Sequence, residues 1–323
     1  MTERTLGVHN PDSLGIGRYV RRLAAAIGEL GEEYVPAAAP DRRSRVHLHL
    51  GNSSRRVAAQ SLSLRRPYLL TVHDVVPRTP VLMPLYRAGI YPLCVRRARR
   101  IVVHSAFAAE LLRTTAGVDA GRISVIAHPA TEPRPGLDVG AARAALGIAD
   151  GPPLFVVTGV LKGAKVTDAV VAAAAPLIRQ GHARLLLAGR VVDRVAVAAA
   201  LGLGAQVLEN PDDLTYDRAV MAADCAVCLR ADTVGESNGP VLDAIGAHKP
   251  LLCSRIGSMP EVAGAAALYV EDLGVDAIRA GLERLLDEDV REELRAAAAR
   301  RARECSWARS AQEHLDLLGG LDQ

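Results

Sequence analysis

RADTVGESNGPVLDAIGAHKPLLCSRIGSMPEVAG, residues 230–264, is the stretch whose reading decides the fold. The apolar run CAVCLR (225–230) leads into it as a strand, a polar loop follows, and Asn238, Gly239 and Pro240 open an Ala/Leu/Ile helix. Asn is a favoured N-cap, and Pro is tolerated in a first turn, where its missing N–H had no intrahelical partner. This puts Glu236 just before the helix and predicts Asp243 in its first turn. Unpaired N–H groups and the helix dipole attract an anion such as a phosphate to that end. Two carboxylates beside the site would repel bare phosphate, yet they accept hydrogen bonds from the hydroxyls of a sugar and a ribose. The stretch reads as a nucleotide-sugar pocket; an ordinary loop with a helix cap is the plainer alternative.

Outward from it, the second half of the chain alternates. LFVVTG (154–159), ARLLLAG (183–189), AQVLEN (205–210), CAVCLR and PLLCS (250–254) are strand candidates, with helices from about Thr167, Val191 and Asp212 onward. TEPRPGLDVG (131–140), with its turn-formers, reads as a linker. Before it, TLGVHN (5–10), RVHLHL (45–50), YLLTVHD (68–74), RIVVHS (100–105) and RISVIAHP (122–129) are strands that end in polar or turn-forming residues. Ligands of open α/β sheets collect outside such carboxyl ends, where His73, Asp74, His104 and Ser105 lie. Ser105 reads as a helix cap. His73 is either a ligand contact or a structural histidine bonded to backbone. Gly15 and Gly17 stand ahead of a helix whose apolar positions are Val20, Leu23, Ala24, Ile27 and Leu30. They either let backbone approach a ligand or form a tight turn with no ligand. The series as a whole predicts two doubly wound α/β sheets.

The chain has 323 residues, enough for about two domains. No apolar run approaches the length that spans a bilayer, and MTERTLGVHN lacks the pattern of a signal peptide, so a cytoplasmic protein is expected. Cys225 and Cys228 form a single CxxC within a buried strand, which reads as buried thiols rather than a metal or redox site. Net charge is +3, but residues 1–137 carry +10 and residues 138–323 carry −7. Either the two lobes are complementary across a cleft, or the first offers an electropositive surface to an anionic acceptor or to a membrane periphery. Aromatic residues make up 3% of the chain, too few for a base-stacking nucleic-acid platform. Arg96, Arg97, Arg99 and Arg100 read as a solvated helix end. Asp287, Glu288 and Asp289 lie between two amphipathic helix patterns, and a solvated turn explains them better than a metal site.

GESNGPVLDAIGAHKPLL followed by GSMPEVAG resembles the donor motif of retaining glycosyltransferases of family 4, which have the GT-B fold. The spacing is one residue shorter than the usual form, the second acid is Asp, and His248-Lys249 replaces a small residue and Gly. The resemblance runs nearly continuously from Tyr68 to the end of the chain. It implies two Rossmann-like domains facing across a cleft, an acceptor domain over 1–134 and a donor domain over 135–305, with a closing helix over 306–323 that packs back on the first. By resemblance Glu236 faces the donor sugar and Asp243 the ribose, and Ser237, Asn238, Gly239 and Pro240 belong to the donor site. GVLKGAKVTDAVVAA (159–173) resembles the family signature in which Gly159 ends a strand and Lys165 binds the donor diphosphate and stabilises it as it leaves. The chain holds only Lys162, Lys165 and Lys249 against 36 Arg, so two Lys in this loop suit a selected point charge. Val160 stands where the family often has Arg; either Lys165 acts alone or Arg190 substitutes. Backbone from Leu208 through Asn210 to Pro211 would hold the base. The Gly15/Gly17 loop and Asp74 belong, by the same likeness, to an acceptor or phosphate loop, and His73 contacts the transferred sugar or the acceptor.

The implied activity is transfer of a sugar, with retention, from a nucleotide-sugar donor to an acceptor hydroxyl. The acceptor is a carbohydrate, a natural product or a lipid-linked sugar, and no metal or other cofactor is required. A nucleotide-sugar epimerase or hydrolase of the same fold, and a non-catalytic sugar-nucleotide-binding subunit, are the alternatives. The Arg/Ala-rich make-up is that of a high-GC bacterium.

Overall fold

The computed structural model describes residues 4–12, 14–51, 55–76, 91–163 and 166–321. Backbone contacts divide the chain into two compact units. The first comprises Met1–Pro129, Val234–Ser237 and Cys305–Gln323; the second comprises Ala130–Thr233 and Asn238–Glu304.

The first unit is built on six parallel strands: β1 (Thr5–Val8), β2 (Tyr34–Ala37), β3 (Arg45–Leu50), β4 (Leu69–Val72), β5 (Arg100–Val103) and β6 (Ile123–Val125). Their order across the sheet is β2-β1-β3-β4-β5-β6. Side chains alternate between faces along a strand. One face is apolar, with Leu6, Val8, Val46, Leu48, Leu50, Leu70, Val72, Ile101 and Val103 in a single core. The other face packs Leu69 and Val102 with the Leu14–Glu29 and Trp307–Gly319 helices, whose Leu23, Ile27, Trp307 and Leu318 are buried there. That second face also carries most of the histidines of the chain.

The second unit has the order β12-β11-β10-β7-β8-β9, again all parallel. Its strands are β7 (Leu154–Leu161), β8 (Arg184–Val191), β9 (Gln206–Glu209), β10 (Cys225–Cys228), β11 (Leu251–Ser254) and β12 (Ala267–Val270). Both faces are apolar: Phe155, Val157, Leu185, Leu187 and Val227 pack on one side, and Val156, Leu186, Ala226, Leu251 and Cys253 on the other. All five cysteines are buried thiols, and Cys225 and Cys228 fall into the cores on opposite faces, as a three-residue separation in a strand requires.

Several local expectations are corrected. The first helix begins at Leu14, so Gly15 and Gly17 lie in its first turn instead of a loop ahead of it. The short strand β2, YVPA, carries no alternation long enough to announce itself, yet it pairs with β1 throughout. Strands β7 and β8 run on past Gly159 and Gly189, and the helix expected from Val191 begins at Arg194, where the Asp193 carboxylate accepts from the N–H of Ala196 at 3.0 Å. Inside the expected linker, Asp138 caps the helix Val139–Leu146, and Thr131 N–H donates to the Leu242 carbonyl at 3.2 Å. Asp287 to Asp289 form the turn and first residues of the Glu288–Glu304 helix, with Glu288 paired to Arg291.

Candidate active site

The histidines of the first sheet occupy alternate positions at neighbouring carboxyl ends: His47 and His49 on β3, His73 just after β4, His104 just after β5. Tyr34 on β2 reaches them because Gly7 lies beneath its ring; a Cβ at Gly7 would sit 2.4 Å from the Tyr34 ring. Together they form one hydrogen-bonded chain. His104 Nδ1 lies 2.9 Å from the Ile126 carbonyl and its Nε2 3.3 Å from His73 Nδ1. His73 Nε2 lies 3.2 Å from His49 Nδ1, and the Tyr34 hydroxyl lies 2.8 Å from both His49 Nε2 and His47 Nδ1. The last link is His47 Nε2 to the Thr71 hydroxyl at 2.7 Å.

One end of the chain assigns every hydrogen in it. A carbonyl only accepts, so His104 Nδ1 carries the proton and its Nε2 is left to accept from His73 Nδ1–H. His73 Nε2 then accepts from His49 Nδ1–H, and His49 Nε2 accepts from the Tyr34 hydroxyl. The Tyr34 oxygen in turn accepts from His47 Nδ1–H, and His47 Nε2 accepts from the Thr71 hydroxyl. Every link is satisfied with every ring neutral. Burial drives the same outcome: desolvation is the largest cause holding His47, His49 and His73 well below the usual imidazole range, and it lowers His104 to about 4. His128, lowered to about 3 by burial, and His314, lowered to about 4, extend the polar layer around Tyr19, whose ring lies 4.9 Å from those of His73 and His128. His73 is therefore bonded through its ring to two other imidazoles, an arrangement neither sequence alternative described.

The predicted residues of the first unit come together here. A Cβ on Gly51, after β3, would lie 2.4 Å from the Ile16 side chain and 3.2 Å from the Asp74 carboxylate, so the Gly15/Gly17 turn and Asp74 are neighbours. The space at Gly17 is bounded by His9 Nε2, 3.4 Å from its ideal Cβ position. The Val234–Ser237 segment docks on the loop that follows His73 and Asp74: the N–H groups of Val75 and Val76 both donate to the Val234 carbonyl at 3.0 Å. Gly235, at φ +84, allows this, since a Cβ would meet Val75 at 2.9 Å. Glu236 is 9% exposed and accepts from the N–H of Val234 at 2.8 Å, which fixes the carboxylate beside the β4 loop.

The second unit gathers its own predicted set at the ends of β7, β8 and β9. Gly159 and Gly189 face each other across β7 and β8, and a Cβ at Gly189 would lie 1.7 Å from the Gly159 carbonyl oxygen. Asn210, at φ 50, donates its N–H to the Gly189 carbonyl at 2.9 Å, and Arg190 is exposed at the same edge. Asp243 lies a turn inside the Gly239–Gly246 helix rather than in its first turn, and it accepts from the Tyr216 hydroxyl at 2.8 Å. Tyr216 also bonds to Thr158 of β7; burial first, and then the Asp243 charge, push its hydroxyl well above the usual phenol range. Asn238 holds the cap position of that helix without a cap bond from its side chain. Its Oδ1 and the hydroxyl of Ser237 are buried with no hydrogen-bond partner among the described residues. Lys165 lies outside the described residues. Its neighbour Val166 stands at φ 53, a costly conformation for a β-branched residue, and opens the Thr167–Arg179 helix with no side-chain cap. Lys249 is structural: its ammonium donates to the Met221 carbonyl at 2.7 Å, and burial lowers it to about 8.

Sequence reasoning missed Tyr34, His47, His49 and Tyr216. The alternation in RVHLHL was the available signal for the two histidines; Tyr34 and Tyr216 act across strand and helix pairings that no local pattern reports.

Residues 42–130 match the family model Glycosyltransferase Family 4. Over 239 residues, 69% of this chain, the sequence is 31% identical to a D-inositol 3-phosphate glycosyltransferase of Nocardia farcinica. The matched region spans 52% of that protein, so the chain covers about half the length of this curated relative. Among solved structures, a glycosyltransferase from Rickettsia africae superposes with a TM-score of 0.78 at 13% identity, covering 100% of this chain and 99% of that one. The Anabaena protein HepE, solved in complex with UDP and glucose, gives 0.76 at 13% identity, covering 99% of this chain and 100% of that one. The two parallel six-stranded sheets with their surrounding helices are thus those of the GT-B fold.

Proposed function

We propose that this chain is a retaining glycosyltransferase that moves a sugar from a nucleoside-diphosphate sugar to an acceptor hydroxyl. The observation that carries the reading is the pinned Val234–Ser237 segment. Two backbone bonds hold it to the loop after β4, so that Glu236 stands beside the segment bearing His73 and Asp74. The next two residues along the chain offer the unpartnered polar atoms of Ser237 and Asn238 at a helix N-terminus. A buried polar atom without a partner is costly in the unliganded protein, and a donor's hydroxyl or phosphate groups supply what is missing.

In this reading Asp243, already oriented by Tyr216, takes the ribose hydroxyls. Lys165 and the uncapped helix start at Thr167 take the diphosphate as it leaves, assisted by Arg190. The backbone from Leu208 to Pro211, turned at Asn210, holds the base. Glu236 positions the transferred ring and offsets positive charge on the reacting carbon, while the departing phosphate accepts the proton of the acceptor hydroxyl on the same face. No protein nucleophile is needed. Charge on the leaving diphosphate is met by Lys165 and backbone N–H groups, so turnover is metal-independent. A protein of the same fold was solved with UDP and glucose, so UDP-sugars are the first donors to try.

The experiment incubates the purified chain with UDP-, GDP- and dTDP-sugars, with and without acceptor glycans or glycolipids, and follows nucleotide release. Acceptor-dependent release that persists in EDTA and vanishes in Lys165→Ala supports the reading. Equal release without any acceptor makes the protein a nucleotide-sugar hydrolase or epimerase, and donor binding without turnover makes it a binding subunit.

A further inference from the structure

The opposite end of the first sheet carries a feature that sugar transfer does not use. At the amino ends of β4, β5 and β6 lies a pocket of about 690 Å³ whose wall holds seven arginines and one carboxylate, Asp119. The arginines come from three separate stretches, 65–66, 96–100 and 122, which the parallel pairing of these strands brings side by side. Arg96, Arg97, Arg99 and Arg100 lie exposed at and just after the end of the Tyr91–Arg97 helix, as the sequence suggested, and they also supply four of the seven arginines of this wall.

Four of the guanidinium groups are fixed by backbone carbonyls. Arg96 Nε donates to the Ala116 carbonyl at 3.0 Å, Arg97 to Leu64 at 2.8 Å, Arg100 to Gly121 at 2.6 Å, and Arg122 to the Arg96 carbonyl at 2.7 Å. Each such bond uses one or two of the five N–H donors and leaves the rest of the fork available. Arg66 is the one that meets an acid, Asp41 at 3.8 Å. Asp119 is spent locally, accepting from the N–H of Gly121 at 2.8 Å. Among the described residues no carboxylate forms an ion pair with Arg65, Arg96, Arg97, Arg99, Arg100 or Arg122. Arg65 and Arg99 are exposed at the rim and take part in none of the bonds that order the others.

Positive charge held this closely is self-repelling, and ordering it costs side-chain entropy, so a wall of anchored guanidiniums without counter-charges is poorly explained by stability. Anchored forks match phosphate oxygens bidentately, with the cost of orienting them already met. The volume lies within the range of small-molecule sites. We propose that this pocket binds a compact polyanion carrying two or more phosphate groups. Such a group can belong to a soluble phosphate ester or to a lipid head group. The proposal is independent of the transfer reading, since every residue in it lies at the far end of the strands from His73.

The test is titration calorimetry with inorganic tripolyphosphate, comparing the wild-type chain with Arg65→Gln/Arg99→Gln, a variant that breaks none of the backbone anchors. Because tripolyphosphate can also enter a donor-phosphate site, the decisive quantity is the difference between the two proteins. The account expects a binding component that weakens as salt is raised and falls about tenfold or more in the variant, with the melting temperature unchanged. Co-sedimentation with phosphatidylcholine vesicles, with and without cardiolipin, separates the sources. Capture by cardiolipin vesicles that tripolyphosphate reverses assigns a lipid head group, and tripolyphosphate binding without capture assigns a soluble ester. Tripolyphosphate binding that is absent, or identical in the two proteins, overturns the proposal.

Discussion

The two sheets have the same strand count and the same parallel pairing, but they solve the problem of burial differently. The second is apolar on both faces. The first is apolar on one face and on the other buries a relay of imidazoles, a tyrosine and a threonine between strands and helices. An apolar core is stabilised by area and volume, and it tolerates any change that preserves both. A polar layer is stabilised only while each donor meets an acceptor, so its weakness is chemical and not steric. The two units should therefore fail under different insults.

The largest expected effect is acid. His47, His49, His73, His104, His128 and His314 are all held below the usual imidazole range by burial, His104 and His314 at about 4 and His128 at about 3. In the unfolded chain these groups titrate near 6.5, so between about pH 6.5 and 4 the unfolded state binds more protons and stability falls as pH falls. His104, His128 and His314 alone give on the order of 4 kcal/mol per pH unit near pH 5.5, and His47, His49 and His73 act in the same direction, against a whole domain stability of about 5–15 kcal/mol. Trp307, the sole tryptophan, packs 5.4 Å from Tyr19 in this unit, so its fluorescence reports the first sheet alone. The signal should change cooperatively between pH 6 and 5; a Trp307 signal flat from pH 7 to 4.5 would show that the imidazoles do not govern the fold.

The converse insult is a cavity. Phe155 is fully buried in the second sheet, and Phe155→Ala should cost about 4 kcal/mol of that unit's stability while leaving the acid transition of Trp307 in place. Hydrogen exchange resolved by peptide would read both units at once. A shift of the acid transition in this variant would mean that the two cores do not respond separately.

Much of this architecture was legible in the sequence. The strand–loop–helix reading of 225–246, the alternation of strands and helices, and the buried thiols of Cys225 and Cys228 follow from local pattern, because backbone propensity and burial period act over a few residues. What was not legible depends on which strand lies beside which. His49 and His73 are 24 residues apart, and nothing local reports that their rings meet. The arginine wall was invisible for the same reason: Arg65, Arg97 and Arg122 become neighbours only through the β4-β5-β6 pairing. Element ends were read least well, as where β7 and β8 continue past their glycines and where the first helix starts inside GIGRY.

A smaller effect separates the middle of the relay from its end. Tyr34→Phe keeps the ring but removes both the donor to His49 and the acceptor from His47, and it should cost about 2 kcal/mol. Thr71→Val removes only the terminal donor to His47 and should cost about 1 kcal/mol. Urea denaturation followed by Trp307 measures both; equal losses would argue against a directional chain in which each tautomer depends on the next.

The central claim is that two carboxylates seven residues apart in the sequence, Glu236 and Asp243, have different tasks in the proposed transfer reaction. Nucleotide affinity measured beside the single-turnover rate, for Glu236→Gln and Asp243→Ala, tests it most directly. Asp243→Ala removes a contact made equally in ground and transition states, so free nucleotide should bind more weakly while saturated turnover changes little. Glu236→Gln should leave nucleotide affinity unchanged and lower the saturated rate. Unaltered nucleotide binding in Asp243→Ala, or an unaltered rate in Glu236→Gln, would contradict the account.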